Sequence, residues 1–136
     1  MGLLGASAAY HPTEISGADG KESFRHGFLY SAFLLLPVPL TDKLSLTGFI
    51  GLGLMDASYA EAWHSVPESA ANIAAFDAEW GLRDIQLFLQ ADYMFTRRLG
   101  LTFMAANQWL LGDAKDSPLT GAAYQLSAGL YTFLKF

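Results

Sequence analysis

Apolar and polar residues alternate along this chain over segments of ten or more positions. Between Asp84 and Phe95 every odd-numbered position is apolar or aromatic, whereas four of the six even-numbered positions carry Asp or Gln. Successive side chains of a β-strand point to opposite faces, so this period of two predicts a strand with one apolar face. The same period recurs in residues 43–55, 99–111 and 122–136, and less regularly in 24–36. The sequence therefore predicts an all-β fold.

The apolar content of the chain favours a membrane protein. Of the 136 residues, 52% are hydrophobic and only 15% are charged, which is apolar for a water-soluble domain of this size. A transmembrane helix needs about 18 to 20 continuous apolar residues. The best candidate, residues 27–40, is shorter and is interrupted by Pro37 and Pro39. The strands themselves are long enough to cross a bilayer when tilted.

The last segment carries a specific membrane signal. The chain ends in Phe136, and apolar or aromatic residues stand at alternate positions before it, among them Leu134, Leu130 and Tyr124. This ending resembles the terminal signal of bacterial outer-membrane β-barrels. The resemblance implies recognition by the barrel-assembly machinery and a periplasmic C-terminus. The alternative is an edge strand of a soluble sandwich or of a lipocalin-like barrel, because alternation does not tell an inner from an outer apolar face.

The lengths of the connections favour the transmembrane barrel. Short turns at residues 37–43 and 96–100 alternate with longer connections at 11–23, 57–79 and 112–120. With a periplasmic C-terminus, every short turn falls in the periplasm and every long connection outside, as in known transmembrane barrels. Nine of the thirteen acidic residues lie in the long connections. The predicted strands of this antiparallel up-and-down barrel are 3–10, 24–36, 43–56, 81–96, 99–111 and 122–136.

Six strands are too few to close a transmembrane barrel, because the smallest known ones have about eight. We therefore expect residues 1–136 to be a single domain that forms the C-terminal part of a larger barrel, or a barrel completed by a second copy. The absence of a recognisable export signal favours the first expectation. Polar side chains on the inner wall would suit either a plugged scaffold or a narrow pore. They are predicted at Arg25, Lys43, Asp84, Gln86, Gln90, Asp92, Gln108 and Gln125.

Other classes of function receive little support. A net charge of −5 and a single basic doublet, Arg97-Arg98, argue against nucleic-acid binding. The chain has no cysteine and its three histidines are scattered, so we predict neither a metal site nor a cofactor. Two sets of residues could be drawn as a nucleophile, base and carboxylate. These sets are Ser31 with His26 and Glu22, and Ser65 with His64 and Glu61.

Neither set supports an enzyme. His26 and Ser31 have opposite parity on a strand, so their side chains point to different faces. The second set lies within five consecutive residues of a long loop and has no visible oxyanion element. In the same loop, Ser65 and Pro67 suggest the start of a short helix, which would be either a lid over the mouth or a surface turn. We predict that the protein is not an enzyme.

Four stretches resemble one family of outer-membrane proteins, the MipA/OmpV family. They are "DASYAEAW" (residues 56–63), "GLRD" (81–84), "LLGDAKDSPL" (110–119) and the ending "AGLYTFLKF". The most specific positions are Gly112, Asp113, Ser117 and Pro118, which suit either a structural turn or a ligand contact. The sequence departs from the family at Trp63-His64, in the long loop, and in its terminal Leu-Lys-Phe.

The resemblance implies a function as well as a fold. Members of the family are described as non-enzymatic scaffolds that dock a lytic murein transglycosylase and a penicillin-binding synthase, and others are linked to small-solute passage or adhesion. It also implies location in the Gram-negative outer membrane, in contact with lipid and lipopolysaccharide. The sequence thus predicts a scaffold for envelope maintenance, with a passive channel as the second candidate and a soluble lipocalin-like binder as the third.

Overall fold

The computed structural model describes residues 2–16 and 22–134, with side chains described for residues 2–12 and 27–134. It contains one antiparallel sheet in which each strand pairs with its neighbours in sequence. The predicted all-β, up-and-down architecture is confirmed. Within the described residues β1 and β6 do not pair, so the sheet is open, as expected for part of a larger barrel. The strands are β1 (Leu3–Ser16), β2 (Glu22–Pro39), β3 (Leu44–Met55), β4 (Gly81–Met94), β5 (Leu99–Leu110) and β6 (Tyr124–Leu134).

The first hairpin is longer than the sequence predicted. Residues 11–23 were expected to form a connection, but β1 continues to Ser16 and pairs in register with β2 as far as Glu22. Within the described sheet β1 pairs on one side only, and an edge strand accepts a proline such as Pro12 when its nitrogen lies on the unpaired side. β2 also continues beyond its predicted end through Pro37 and Pro39, because this part of the strand is paired on one side only. β1 begins opposite Leu35, so the last residues of β2 pair only with β3.

Two short helices lie in the long connections, α1 (Ala57–His64) and α2 (Gly112–Asp116). α1 packs so closely on β2 that a Cβ atom added to Gly27 would lie 2.5 Å from the Tyr59 Cα. The side of the sheet that carries Gly27, Met55 and Asp84 is called here the helix-bearing face. The buried apolar core lies between this face and the helices and consists of Met55, Tyr59, Ala60, Ala78 and Ala114.

The opposite side of the sheet, called here the open face, is apolar and exposed. Leu52, Leu87 and Leu89 are between 40% and 46% exposed in its middle. Aromatic side chains stand towards both strand ends, with Phe28 and Tyr30 at one and Tyr93 and Phe95 at the other. β4 has 14 residues and is about 46 Å long, which rises about 35 Å at a tilt of 40° and exceeds the apolar band of about 25 Å in known barrels. Neither helix has the length and apolarity to cross a membrane within the described residues.

Four glycines on the helix-bearing face lie under aromatic rings. Phe33 covers Gly5 and Phe133 covers Gly100, in each case from the directly opposite position on the neighbouring strand. Phe49 covers Gly51 and Tyr131 covers Gly129, in each case from two positions away on the same strand. Any larger residue at these glycines would collide with the ring, so the glycines allow the rings to lie along the sheet.

Candidate functional site

The two ends of the sheet differ in their connections. At the long-connection end, residues 56–80 join β3 to β4 and residues 111–123 join β5 to β6. At the short-turn end, residues 40–43 join β2 to β3 and residues 95–98 join β4 to β5. The most densely bonded polar groups lie at the long-connection end, whereas the short-turn end carries exposed cations. Both ends are therefore candidates for function.

Asp56 fixes α1 to the sheet. Its Oδ1 accepts a hydrogen bond from the Tyr59 N–H at 2.7 Å, which is the N-cap interaction that begins the helix. Its Oδ2 accepts from the Phe28 N–H of β2 at 3.0 Å. The helix ends at His64, and no further helix starts at Ser65 and Pro67; instead the Ala70 N–H donates to the Pro67 carbonyl at 3.0 Å, which forms a surface turn, the second of the two alternatives. Ser65 Oγ instead accepts from the Ala78 N–H at 2.9 Å, which closes the base of the long connection.

A buried carboxylate, Asp84, is the centre of the polar network on the helix-bearing face. Asp84 is fully buried and forms an ion pair with the guanidinium of its neighbour Arg83. Its Oδ1 accepts from Gln86 Nε2 at 3.0 Å, and its Oδ2 accepts from Gln108 Nε2 at 2.8 Å. Buried charges in proteins are normally paired in this way, because an unpaired one is costly. The network joins β4 to β5 and leaves Asp84 fully bonded.

A β-bulge explains how two consecutive residues reach the same face. Gly53 of β3 pairs with Asp84, but Leu54 pairs with Leu82, so Arg83 is the extra residue of β4. An extra residue resets the alternation and redirects a side chain. Gly53 is also required here, because a Cβ at this position would lie 2.7 Å from Asp84 Oδ1. The sequence placed Asp84 on the polar face but gave no signal for Arg83.

Arg83 connects this network to α1. Its Nη1 donates to the Tyr59 hydroxyl at 3.2 Å, and its guanidinium carbon lies 6.0 Å from the centre of the Tyr59 ring. The ring also makes an edge contact with His11 of β1 at 5.3 Å between centroids. Tyr59 therefore links α1 to the strands on both sides of it. Sequence reasoning missed Tyr59, although the "DASY" stretch contains both the cap and this tyrosine.

The family motif joins the two long connections. Gly112 has a φ of 49°, a left-handed conformation that favours glycine, and it begins α2. Asp113 Oδ2 accepts from the Glu79 N–H at 2.7 Å, and Ser117 Oγ donates to the His64 carbonyl at 2.5 Å. The motif was interpreted as a tight turn or a ligand contact, and in the structure it forms a short helix that binds the other connection. Pro118 follows and is exposed.

His64, the last residue of α1, is a partly buried titratable group near Arg83. Burial, with a smaller effect from the positive charge of Arg83, lowers the pKa of His64 below its usual value of 6.5. Its ring lies 6.2 Å from the Tyr59 ring. No hydrogen bond joins the His64 ring to Ser65 among the residues described, and the Ser65 hydroxyl is used by the Ala78 N–H. The structure does not assemble this trio as a catalytic site.

The remaining predicted residues are spread over the sheet. Gln90 and Thr102 both donate to Asp92, at 2.7 and 2.5 Å, on the helix-bearing face nearer the short-turn end. Arg25 lies in β2 and its side chain is outside the described part, as are those of His26 and Glu22; Phe136 also lies outside the described residues. Exposed side chains on the open face of β6 include the predicted Tyr124, Leu130 and Leu134, together with Leu126. Exposed residues also include Gln125 in β6 and Lys43 in a short turn.

The two short turns share one design that the sequence analysis missed. In residues 40–44, the N–H groups of Lys43 and Leu44 donate to Thr41 Oγ1 at 3.2 and 3.0 Å. In residues 95–99, the N–H groups of Arg98 and Leu99 donate to Thr96 Oγ1 at the same two distances. The hydroxyl fixes each turn locally.

The fixed turns present an exposed basic surface. The Met94 N–H donates to the Lys43 carbonyl at 2.8 Å, so the two turns are neighbours. Lys43, Arg97 and Arg98 are all exposed, with Asp42 as the acidic residue among them. These four residues are called here the basic turn pair. Such a surface can attract an acidic partner.

Comparison with known families identifies the chain. The family described as "MltA-interacting protein MipA" matches residues 2–136. Comparisons with curated proteins and with solved structures found no match. The match covers the whole described sheet and agrees with its antiparallel up-and-down order. The chain therefore belongs to the MipA family of outer-membrane barrel proteins.

Proposed function

We propose that this protein is a non-enzymatic outer-membrane scaffold that docks a lytic murein transglycosylase, with a penicillin-binding synthase as a second partner. The observation that carries this proposal is the family match over residues 2–136, because the family is described by its interaction with MltA. The arrangement of the polar groups agrees with it. Asp84, Ser117 and Asp113 are all engaged in holding the fold together.

The basic turn pair is the surface that we propose for docking. Murein enzymes work in the periplasm, and a periplasmic C-terminus would place the short-turn end on that side of the membrane. Thr41 and Thr96 hold the two turns in one conformation, so little conformational entropy would be lost on binding. The exposed cations would steer an acidic patch of the partner towards the turns.

Charge reversal on the two ends of the sheet tests the docking surface. Arg98→Glu alters the basic turn pair, and Lys115→Glu is the matched control because Lys115 lies at the other end and is also exposed. Binding of the purified transglycosylase to the protein in detergent would be measured at two salt concentrations. We expect R98E to weaken binding about tenfold at low salt, and less at high salt, because salt screens exposed charges. Equal binding by both variants would refute docking at this end.

A passive channel is the second candidate, because polar residues line the helix-bearing face. The packing of α1 on Gly27 and Met55 argues against it, since the helix lies over that face at the long-connection end. Planar-bilayer recordings separate the two functions. A scaffold gives no steady single-channel steps, whereas regular steps from the purified full-length protein would favour the channel.

The membrane context is also part of the proposal. The open edges of β1 and β6 support a single domain, residues 1–136, that forms the C-terminal part of a larger barrel. The exposed apolar open face would contact outer-membrane lipid, and the acidic long connections would face lipopolysaccharide. Phe136, with Leu134, Leu130 and Tyr124 on the open face, would be read by the barrel-assembly machinery. Deletion of Phe136 should abolish assembly, and normal assembly of the deletion variant would contradict this role.

A further inference from the structure

An open-sided cavity of about 570 Å³ lies across strands β2 to β6. The lining contributed by the helix-bearing face includes three glutamines in one row, because Gln86 pairs with Gln108 and Gln108 pairs with Gln125. Phe49 and Phe88, which also pair with each other, lie in the next row of the lining. Within the described residues, no charged side chain lines this cavity. Its size falls in the range of small-molecule sites.

The buried carboxylate fixes the orientation of two of the three amides. An ionised carboxylate only accepts hydrogen bonds, so the Nε2 groups of Gln86 and Gln108 must both point towards Asp84. The Oε1 atom of each glutamine is then turned away from Asp84 and is available as an acceptor. Gln125 and Ser127, both exposed in the same lining, add groups that can donate as well as accept. The glutamine row therefore offers two oriented acceptors and one adaptable amide, and Ser127 adds a hydroxyl in the next row.

The aromatic residues supply a flat apolar surface next to this row. The Phe49 ring lies over Gly51, which pairs with Gln86, and it stacks on Phe33 with 5.5 Å between ring centroids. Phe49 and Phe88 are only partly buried, so ring surface remains accessible from the cavity. A ligand for such a site presents hydroxyl or amide donors on one edge and an apolar C–H surface on a face. Charged ligands are disfavoured because Arg83 already neutralises Asp84 and the lining offers no counter-charge.

We propose that this cavity is a binding site for a neutral sugar unit, with its hydroxyl or acetamido groups on the glutamine row and its C–H face on Phe49 and Phe88. The inference does not depend on the docking of a transglycosylase. The same chemistry is offered by a free neutral sugar and by the N-acetylated sugars of murein. Binding of maltose would indicate the first source, and binding of N,N′-diacetylchitobiose the second.

Isothermal titration calorimetry on the full chain in detergent tests the site with these two sugars. We expect saturable binding of at least one of them, and weaker binding of glucosamine and glucuronate, which carry a positive and a negative charge. No saturation by either neutral sugar, or tighter binding of a charged one, would overturn the proposal.

Two substitutions test the location of the site. Gln125 is exposed, so Gln125→Ala should leave the fold unchanged while weakening binding about three- to tenfold through the lost hydrogen bond. Phe88→Leu should weaken it by a similar factor through the lost ring contact. Gln90→Ala is the matched control, since Gln90 lies on the same face but outside the cavity and bonds Asp92. Wild-type affinity in both the Q125A and F88L variants would place the sugar elsewhere and refute the site.

Discussion

Removal of the Asp84 carboxylate should destabilise the sheet more than removal of the other hydrogen-bonded carboxylate on the helix-bearing face, Asp92. In Asp84→Ala, the Arg83 guanidinium, whose side chain is only 15% exposed, loses its ion-pair partner. Breaking a buried ion pair by removing one partner costs about 3–5 kcal/mol. The amides of Gln86 and Gln108 also lose their acceptor, but both side chains are partly exposed and can bind water. We therefore expect a loss of about 3–5 kcal/mol in the free energy of unfolding.

Asp92→Ala is the matched control for this measurement. Asp92 lies on the same face and also accepts two side-chain hydrogen bonds, from Gln90 and Thr102, but no cation contacts it among the described residues. Its removal should cost about 1–3 kcal/mol. Unfolding by urea in detergent micelles, followed by tryptophan fluorescence, would give both values. A loss for Asp84→Ala no larger than that for Asp92→Ala would refute the argument that the ion pair dominates.

A double-mutant cycle would isolate the pair itself. Arg83→Met removes the charge but retains much of the apolar side chain. Because the double variant leaves no unpaired charge, it should be less destabilised than the sum of the two single variants, with a coupling of about 1–3 kcal/mol. Additive losses would show that Arg83 and Asp84 contribute independently.

Three further predictions concern the packing of α1. Gly27→Val should push α1 away from the sheet, because even a Cβ atom at this position would lie 2.5 Å from the Tyr59 Cα. Amide hydrogen exchange in residues 57–64 should then be faster than in the wild type, and an unchanged exchange rate would contradict the prediction. Ser117→Ala removes the hydrogen bond to the His64 carbonyl and should cost about 1 kcal/mol in the urea assay, whereas Pro118→Ala, at an exposed neighbour, should cost less. Because the pKa of His64 is lowered in the folded protein, this imidazole takes up a proton more readily in the unfolded chain, so the free energy of unfolding should fall as the pH drops below 6.5. His64→Gln should reduce this pH dependence. Equal pH profiles for the wild type and the variant would argue against the prediction.

The strands could be predicted because each buries or exposes alternate residues. Residues 43–56 and 99–111 were predicted as strands, and β3 and β5 end within a residue of those limits. The first two strands were predicted at 3–10 and 24–36, but their extension into residues 11–23 was missed because that segment is rich in polar and turn-forming residues. Backbone pairing with β2 extends β1 to Ser16.

The candidate site was predicted only in part. Alternation placed Asp84, Gln86 and Gln108 on one face, and the structure joins them in one network. It could not place Arg83, because normal alternation would have turned this side chain to the open face and only the bulge reverses it. α1 was also missed, since eight residues are too few to show helical periodicity and its position depends on packing against Gly27.

The aromatic rings that cover glycines help to set the pairing register of the strands. A slip of β1 by two residues would keep every side chain on its own face, so burial alone would hardly oppose it. It would, however, bring Leu3 or Ser7 instead of Gly5 opposite Phe33. The side chain of either residue would then occupy the space over the strand in which the Phe33 ring lies. Phe133 and Gly100 act in the same way between β5 and β6. Within the described sheet, the first and last strands therefore each carry a steric check on their own register.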